Sequence, residues 1–232
     1  MLNELLQGSA VWGVLLTLAA FALGAWINKK TGKAVFNPLL LGSIFVILFL
    51  RIGGLDCAGY QASAAPVSYL LLPATVSLAV PLYEKWDLLK QHAPAILAGI
   101  LAGVLTSLGS ILVLALVLDL DPVQYVTLLP KSVTTAISMD VSAALGGIAA
   151  LTGAIVILTG ILGNLLAGPV CRLFRITDPM AKGIGIGSAA HAIGTSRAIE
   201  MGETEGAMSG LAIAVAGVLT ALLCPVFAGF LG

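Results

Sequence analysis

Charged side chains are scarce in this sequence, and their scarcity limits the class of protein. Asp, Glu, Lys and Arg make up 9% of the 232 residues, whereas water-soluble domains carry about 25%. The 11 cations balance 11 acids and form no basic run, although neutralising the phosphates of nucleic acid requires clustered Lys and Arg. The composition therefore excludes a water-soluble fold and predicts no nucleic-acid partner.

Residues that bind metals or form disulfides are also few. Cys57, Cys171 and Cys224 lack the spacing of a disulfide framework or a zinc site. The two histidines form no HExxH motif, and the run GIGIGSAA lacks the dinucleotide-binding pattern. Ser188 and His191 resemble a nucleophile and base, but catalysis also needs a directed hydrogen bond and an oxyanion pocket. We predict no metal, no cofactor and no enzymatic activity.

Hydrophobic residues dominate instead, at 59% of the chain with a mean hydropathy of +1.08. A helix needs roughly 20 apolar residues to cross a bilayer. Apolar segments of about that length predict six transmembrane helices, at residues 9–27, 34–50, 64–82, 93–118, 148–171 and 207–231. We expect an all-α integral membrane protein, with residues 1–232 forming a single polytopic domain in the lipid bilayer.

Two polar segments interrupt this apolar background. They read LLPKSVTTAISMDVSAALGG at residues 128–147 and GIGSAAHAIGTSRAIEMGETEG at residues 185–206. When Ser132 is aligned with Ser188, alanine, isoleucine and glycine positions coincide, which indicates one structural unit used twice. Pro130 disfavours a continuous helix in the first unit, and glycines at 183, 185, 187 and 194 predict a loosened helix in the second.

The distribution of cations predicts an orientation, because Lys and Arg in short loops stay on the cytoplasmic side. Eight cations share that side if the N-terminus lies outside and the polar units re-enter from opposite faces. Discontinuous helices of inverted repeats that meet near the midplane are typical of transporter sites. An alternative alignment, of LLPATVSLAV with LLPKSVTTAI, favours a parallel repeat that crosses fully. The eight cations are Lys29, Lys30, Lys33, Lys85, Lys90, Arg172, Arg175 and Lys182.

The polar units carry side chains suited to a small carboxylate, because cations, hydroxyls and free amides at helix ends all attract an anion. An imidazole also exchanges a proton near neutral pH, so His191 and Asp140 are candidates for proton coupling. Asp140 has two other interpretations, which are pairing with Lys131 and a place at the outer surface. The candidate substrate-binding residues are Lys131, Ser132, Thr134, Thr135, Ser138, Ser188, His191, Thr195, Ser196 and Arg197.

Structural explanations exist for the same residues. A hydroxyl in a membrane helix often bonds a backbone carbonyl. Lys131 has a side chain long enough to reach the outer interface, and Arg197 has Glu200 and Glu203 as neighbouring acids. A hydrogen-bonded structural histidine is the alternative interpretation of His191. Both interpretations of these side chains stay open on the sequence alone.

The chain resembles the LrgB/CidB family of bacterial inner-membrane proteins over nearly its whole length, and four motifs carry the resemblance. They are FNPLLLG, PLYEKWDLL, LLPKSVTTAISMDVSAALGGIAALTGAIVILTGILGN and GIGIGSAAHAIGTSRAIEMGETEGAMSGLAI. The resemblance implies antiholin- or holin-like control of murein hydrolases and cell lysis, together with a smaller LrgA/CidA-type partner. Related bacterial pairs are associated with pyruvate movement, and the fused chloroplast relatives move glycolate and glycerate.

Two functions are therefore predicted. The first is transport or facilitated passage of small monocarboxylates, with the anion held between two re-entrant, broken helices. The alternative is a holin/antiholin-like membrane protein that regulates murein hydrolase activity and lysis with an LrgA/CidA-type partner. The chain is short for a complete transporter, so we expect a homo-oligomer or a complex with that partner. The expected location is the bacterial cytoplasmic (inner) membrane, with several spans and the N-terminus outside.

Overall fold

A computed structural model describes residues 11–31, 36, 38–70, 73, 76, 80, 83 and 86–231, with only the backbone of residues 88 and 89. Within these ranges the regular structure is helical and contains no strand, which confirms the predicted all-α class. The helices are α1 (Trp12–Thr31), α2 (Pro38–Gly53), α3 (Cys57–Tyr69), α4 (Trp86–Val117), α5 (Pro122–Leu128), α6 (Thr135–Ala144), α7 (Ala149–Leu173), α8 (Pro179–Met201) and α9 (Glu203–Ala228).

Four of the described helices are long and apolar enough to cross a membrane. They are α1, the Lys90–Val117 part of α4, α7 and α9, which correspond to four of the predicted spans. The apolar helix α2 has 16 residues and lies where residues 34–50 were predicted to span. Helix α3 covers the start of the predicted span at residues 64–82, most of the remainder of which falls outside the described residues.

The chain divides into two compact units, Met1–Ser77 and Leu78–Gly232. In the first unit α1 packs against α2 and α3. The contact with α3 is partly polar, because the Thr17 hydroxyl lies 2.7 Å from the Tyr60 hydroxyl. The Trp12 and Tyr60 rings are 5.8 Å apart. The single polytopic domain stays a prediction, and the site described below lies within the second unit.

Helix α4 has the two faces expected of a membrane helix at the edge of a bundle. Ile100, Val104 and Leu108 recur every four residues and are buried in the core of the second unit, because this spacing places them on one side of a helix. Leu101 and Leu105 each follow a buried residue by one position and lie on an adjacent face, where they are exposed although they are equally apolar. An exposed apolar face of this kind is favourable in contact with lipid and unfavourable in contact with water.

Helices α8 and α9 pack with their backbones close together. A Cβ atom on Gly187 would lie 2.9 Å from the Cβ of Ala212 and closer still to the Ser209 carbonyl oxygen. Gly183 faces the Glu205 backbone in the same way, one helical turn away. Small residues of this spacing permit close helix packing in membranes. These two glycines therefore serve packing, which the sequence analysis did not anticipate.

The predicted breaks in both polar units are present. In the first unit α5 ends at Leu128 and α6 begins at Thr135, and a turn connects them. In the second, α8 is interrupted at His191, where φ is 42° and ψ is −143°. Residues other than glycine rarely adopt this backbone conformation. It costs on the order of 1–3 kcal/mol and persists only where the surrounding structure holds the residue in place.

Each broken unit forms a helical hairpin, and the hairpins begin at opposite ends of α7. The Thr152 hydroxyl, near the start of α7, contacts the Thr127 carbonyl on one arm of the first hairpin and the Ser142 hydroxyl on the other. Near the end of α7, Lys182 and Arg197 from the two arms of α8 line one cavity with Arg172. The connecting turns lie between these ends, so the two units run in opposite directions along α7.

Candidate functional site

The turn of the first hairpin is held by a buried hydroxyl. Ser138 Oγ donates to the Pro130 carbonyl oxygen at 2.7 Å and approaches the Val133 carbonyl oxygen at 3.3 Å. Proline lacks an amide hydrogen and interrupts the helix here, and the Ser138 hydroxyl satisfies carbonyls that the interruption leaves without helical partners. Ser138, predicted to bind substrate, thus makes the structural contacts that were its alternative interpretation.

Lys131 lies in this turn and points toward α4. Its Nζ donates to Ser132 Oγ at 3.0 Å and to Ser107 Oγ at 3.5 Å, and Ser107 Oγ donates to Ser132 Oγ at 2.9 Å. The lysine is half-buried, and no carboxylate among the described residues lies within ion-pair distance of it. A half-buried cation surrounded by hydroxyls is an environment that attracts an anion.

A cavity of about 300 Å³ connects the turn of the first hairpin with the second. We call it the serine–lysine cavity. Its lining includes Lys131 and Ser132 from the first polar unit and Ser188 from the second, so three predicted substrate-binding residues share one space. Ser188 is 4% exposed, and its hydroxyl has no hydrogen-bond partner in the described part of the chain. The lining residues are Gly99, Gly103, Thr106, Ser107, Ser110, Lys131, Ser132, Gly185, Ser188 and Ala189.

Helix α4 contributes hydroxyls that the sequence analysis did not select. Thr106, Ser107 and Ser110 line the serine–lysine cavity. Gly103 allows α8 to approach, because a Cβ there would lie 3.0 Å from the Cβ of Ser188. Ser110 follows Ser107 by three residues and Thr106 by four, so the three hydroxyls share one face of the helix. This spacing within an otherwise apolar span could have identified the polar face from the sequence.

His191 forms the tip of the second hairpin and bonds to α7. Its Nε2 lies 2.9 Å from the Val156 carbonyl oxygen and therefore donates, and the residue is 2% exposed. Gly160 makes room for the ring, since a Cβ there would lie 2.6 Å from His191 Cε1. The imidazole thus makes a buried structural contact, which agrees with the alternative interpretation of His191 as a structural histidine. It makes no hydrogen bond to Ser188, so the described residues contain no Ser188–His191 dyad.

Two more predicted hydroxyls also bond backbone carbonyls. Thr195 Oγ1 donates to the His191 carbonyl oxygen at 3.0 Å and contacts Ser209 Oγ at 2.7 Å. Ser196 Oγ donates to the Ile193 carbonyl oxygen at 2.7 Å. Both bonds stabilise the arm of the hairpin that follows the break. Neither residue lines the serine–lysine cavity.

The other candidates in the first unit lie at or beyond the start of α6. Thr134 is the N-cap residue but makes no side-chain capping bond, and Thr135 is the first helical residue. Both are half-buried and outside the serine–lysine cavity. Asp140 is exposed and forms no ion pair with Lys131 within the described residues. Its predicted role in proton coupling stays a prediction without a contact to support it.

Arg197 lies in a different cavity from Lys131. Its Nη1 bonds Glu200 Oε2 at 2.6 Å, which is the ion pair considered in the sequence analysis. Lys131 directly precedes Ser132 at the tip of its hairpin, whereas Arg197 lies six residues beyond the tip at His191, or about 9 Å along the returning arm. The returning arm of α8 carries Arg197 to the far end of α7, so the expected site with both cations is not formed by the described residues.

The fold and the site define an all-α, multi-pass membrane protein in which two helical hairpins and α4 line a small open cavity that contains a lysine and several hydroxyls. Among the described residues no group of His, Cys, Asp and Glu could hold a metal ion. The chain belongs to the LrgB-like family, whose model matches residues 17–230. The family predicted from the four motifs is thereby confirmed.

Relatives of this family resemble the chain over nearly its full length. An antiholin-like protein LrgB of Bacillus subtilis (strain 168) is 37% identical over 97% of each chain. Proteins of the same name from Bacillus mycoides (strain KBAB4) and Bacillus cereus (strain B4264) are 35% identical, over 95% of this chain and 96% of theirs. No solved structure matches the chain.

Proposed function

We propose that the chain is a non-enzymatic, antiholin-like protein of the bacterial cytoplasmic membrane. In this role it restrains permeabilisation of the membrane by a small LrgA/CidA-type partner, and so limits murein hydrolase activity and lysis. The observation that carries the proposal is the similarity to relatives named antiholin-like over 95–97% of the chain. Restraint of a partner needs binding surface instead of catalytic groups.

Suitable surface is present on two spanning helices. A partner helix in a bilayer packs against an apolar face, and in the isolated chain the same face contacts lipid. Helices α4 and α9 each expose apolar side chains at intervals of four residues, which lie along one side of a helix. These stripes suit the partner or a second copy of the chain. They consist of Leu97, Leu101 and Leu105 on α4 and Val218, Leu222 and Val226 on α9.

Co-expression in bacteria tests the antiholin-like role. An LrgA-type partner is expressed alone, with this chain, and with the Bacillus subtilis relative as the reference, while culture turbidity and murein hydrolase activity are followed. We expect this chain to delay lysis and to lower hydrolase activity, as the reference does. Lysis at the same time with and without the chain, at equal partner levels in the membrane, would refute the proposal.

The proposed orientation places the N-terminus outside and the basic end of α7 in the cytoplasm. Arg172, Arg175 and Lys182 cluster near that end, and positive residues favour the cytoplasmic side. The hairpin of α8 then enters from the cytoplasm and the α5–α6 hairpin from outside, as inverted units. The antiparallel run of the two hairpins along α7 supports this arrangement.

A second candidate function, carriage of a small monocarboxylate, has its own supporting observation. Ser188 has a buried hydroxyl without a hydrogen-bond partner among the described residues, and it lines the same cavity as Lys131. An unpaired buried hydroxyl costs about 1–3 kcal/mol, which a bound acceptor would relieve. A carboxylate is such an acceptor and also neutralises the lysine. At about 300 Å³ the cavity lies at the lower end of the usual range for ligand sites, so pyruvate, glycolate and glycerate are suitable in size.

Uptake into proteoliposomes tests this second function independently of lysis. Labelled pyruvate, glycolate and glycerate are offered to the wild type, Lys131→Met and Ser188→Ala, with Lys90→Met as the control for an exposed cation elsewhere on α4. We expect roughly tenfold or greater loss in Lys131→Met, because hydrogen bonds to charged groups contribute about 1.5–3 kcal/mol. Ser188→Ala should lose less, and Lys90→Met nothing. Equal uptake by all four proteins would remove the cavity as the acid site.

A further inference from the structure

A second cavity, of about 500 Å³, lies at the end of α7 and is lined by four cations. We call it the basic cavity. Arg172 and Arg175 come from the end of α7 and the following turn, and Lys182 and Arg197 come from the two arms of α8. The hairpin brings the last two together although they are 15 residues apart in sequence. None of the described residues that line the cavity is acidic.

Nearby acids neutralise only part of this charge. Glu200 bonds Arg197 from the exposed side, and Glu205 lies 3.8 Å from Lys182. Arg172 and Arg175 have no carboxylate within ion-pair distance in the described part of the chain. Two arginines thus remain unneutralised in a concave site. Guanidinium groups bind phosphate through two parallel hydrogen bonds.

An apolar groove adjoins the basic cavity. It has a volume of about 270 Å³ and runs along α7 and α8, where Leu166, Val170 and Ile186 contribute to its walls. Cys171, Ile176 and Lys182 line both spaces, so the groove and the cavity are directly adjacent. A ligand that filled both would have an anionic end and a hydrocarbon end.

We propose that the basic cavity and the groove together bind one anionic phospholipid, with its phosphate among the arginines and an acyl chain against α7 and α8. Basic pockets between membrane helices on the cytoplasmic side suit such headgroups. The exposed Leu173 and Phe174, beside the cavity, fit the boundary between headgroups and acyl chains. The site is distinct from the serine–lysine cavity, with which it shares no cation.

Native mass spectrometry of the detergent-purified protein tests the proposal by counting bound lipids. Phosphatidylglycerol and phosphatidylcholine with the same acyl chains are compared, together with glycerol phosphate, which has a phosphate but no chain. We expect one phosphatidylglycerol to be retained in preference to phosphatidylcholine, and no retention of glycerol phosphate. Equal retention of the two lipids would overturn the proposal. Equal binding of glycerol phosphate would overturn it too, in favour of a soluble phosphate ligand.

Variants locate the lipid. Arg172→Gln is combined with Arg175→Asn, because asparagine tolerates the positive φ of 53° at position 175. Each basic residue near an anionic lipid contributes about fivefold in affinity, so the pair should lose roughly thirtyfold. The control, Lys29→Gln with Lys30→Gln, removes two exposed cations outside the cavity and should retain the lipid. Equal loss of lipid in both double variants would show unspecific attraction and overturn the site. If the arginine variant does not fold, the comparison of the two lipids on the wild-type protein still tests the proposal.

Discussion

His191 Nε2 lies 2.9 Å from the Val156 carbonyl oxygen, and this bond attaches the tip of the α8 hairpin to α7. The backbone at His191 adopts a conformation that helices do not contain. Burial of the ring and the Thr195 bond to the His191 carbonyl hold the residue in place. The break in α8 therefore occurs at a residue other than glycine and is held by tertiary contacts, for which Gly160 on α7 leaves room.

Replacement of Gly160 by alanine should destabilise the protein. The new Cβ would lie 2.6 Å from His191 Cε1, and overpacking of this kind typically costs about 1–3 kcal/mol. Thermal unfolding of the purified protein measures the effect, with Gly168→Ala as the control. Within the described residues, a Cβ at Gly168 would meet only Arg197 Nη2, at 3.8 Å. Unfolding temperatures that drop equally in both variants would contradict this packing.

Two glycines on α8 form a second matched pair. Gly187→Ala should destabilise the protein, because the Cβ would collide with Ser209 and Ala212 of α9. The new Cβ of Gly185→Ala meets no atom of the described residues within 4 Å, so this variant should leave stability unchanged or raise it by up to about 1 kcal/mol, since alanine favours helix. The comparison uses thermal unfolding and retention of the folded protein on gel filtration. Similar stability of the two variants would contradict the close approach of α8 and α9.

Ser138→Ala should weaken the turn of the first hairpin. The variant loses the hydroxyl that bonds the Pro130 carbonyl at 2.7 Å, and an average hydrogen bond contributes about 0.5–1.5 kcal/mol. Ser110→Ala is the control, because its hydroxyl is exposed and, as far as the described residues go, bonds only the neighbouring Ser107 carbonyl. Ser138→Ala should lower the unfolding temperature and Ser110→Ala should leave it nearly unchanged, and the reverse order would contradict the assignment.

Labelling of introduced cysteines tests whether the two hairpins enter from opposite faces. Ala144 and Glu203 are exposed near the ends of the first and second hairpins. Each is replaced by cysteine in a Cys57→Ser background, because Cys57 is the one exposed native cysteine in the described residues. A membrane-impermeant maleimide should label Ala144→Cys from outside and Glu203→Cys only after the membrane is opened. Labelling of both from one side would contradict inverted units.

The sequence predicted the breaks but not the location of the second. Pro130 is a recognisable helix breaker in the first hairpin, and the structure has its turn there. In the second, four glycines indicated a loosened helix, yet the break occurs at His191. A non-glycine residue at positive φ is held by its packing partners on α7, and a single sequence does not reveal those partners.

The sequence predicted only some of the residues that line the serine–lysine cavity. Aligning Ser132 with Ser188 correctly placed both residues at the meeting of the hairpins. The alignment also placed Arg197 there, because it ignored how far each cation lies from the tip of its hairpin. Ser107 was missed because α4 was treated as an ordinary apolar span. Tertiary packing selects which hydroxyls on a spanning helix face a neighbour.

The antiholin-like role is tested most directly by dye release from lipid vesicles. Vesicles containing an LrgA-type partner are compared with vesicles containing the partner and this chain, at equal amounts of partner, and with vesicles containing this chain alone. We predict that the chain alone releases no dye and that it reduces the release caused by the partner. Unchanged or faster dye release in the presence of the chain would contradict the antiholin-like role.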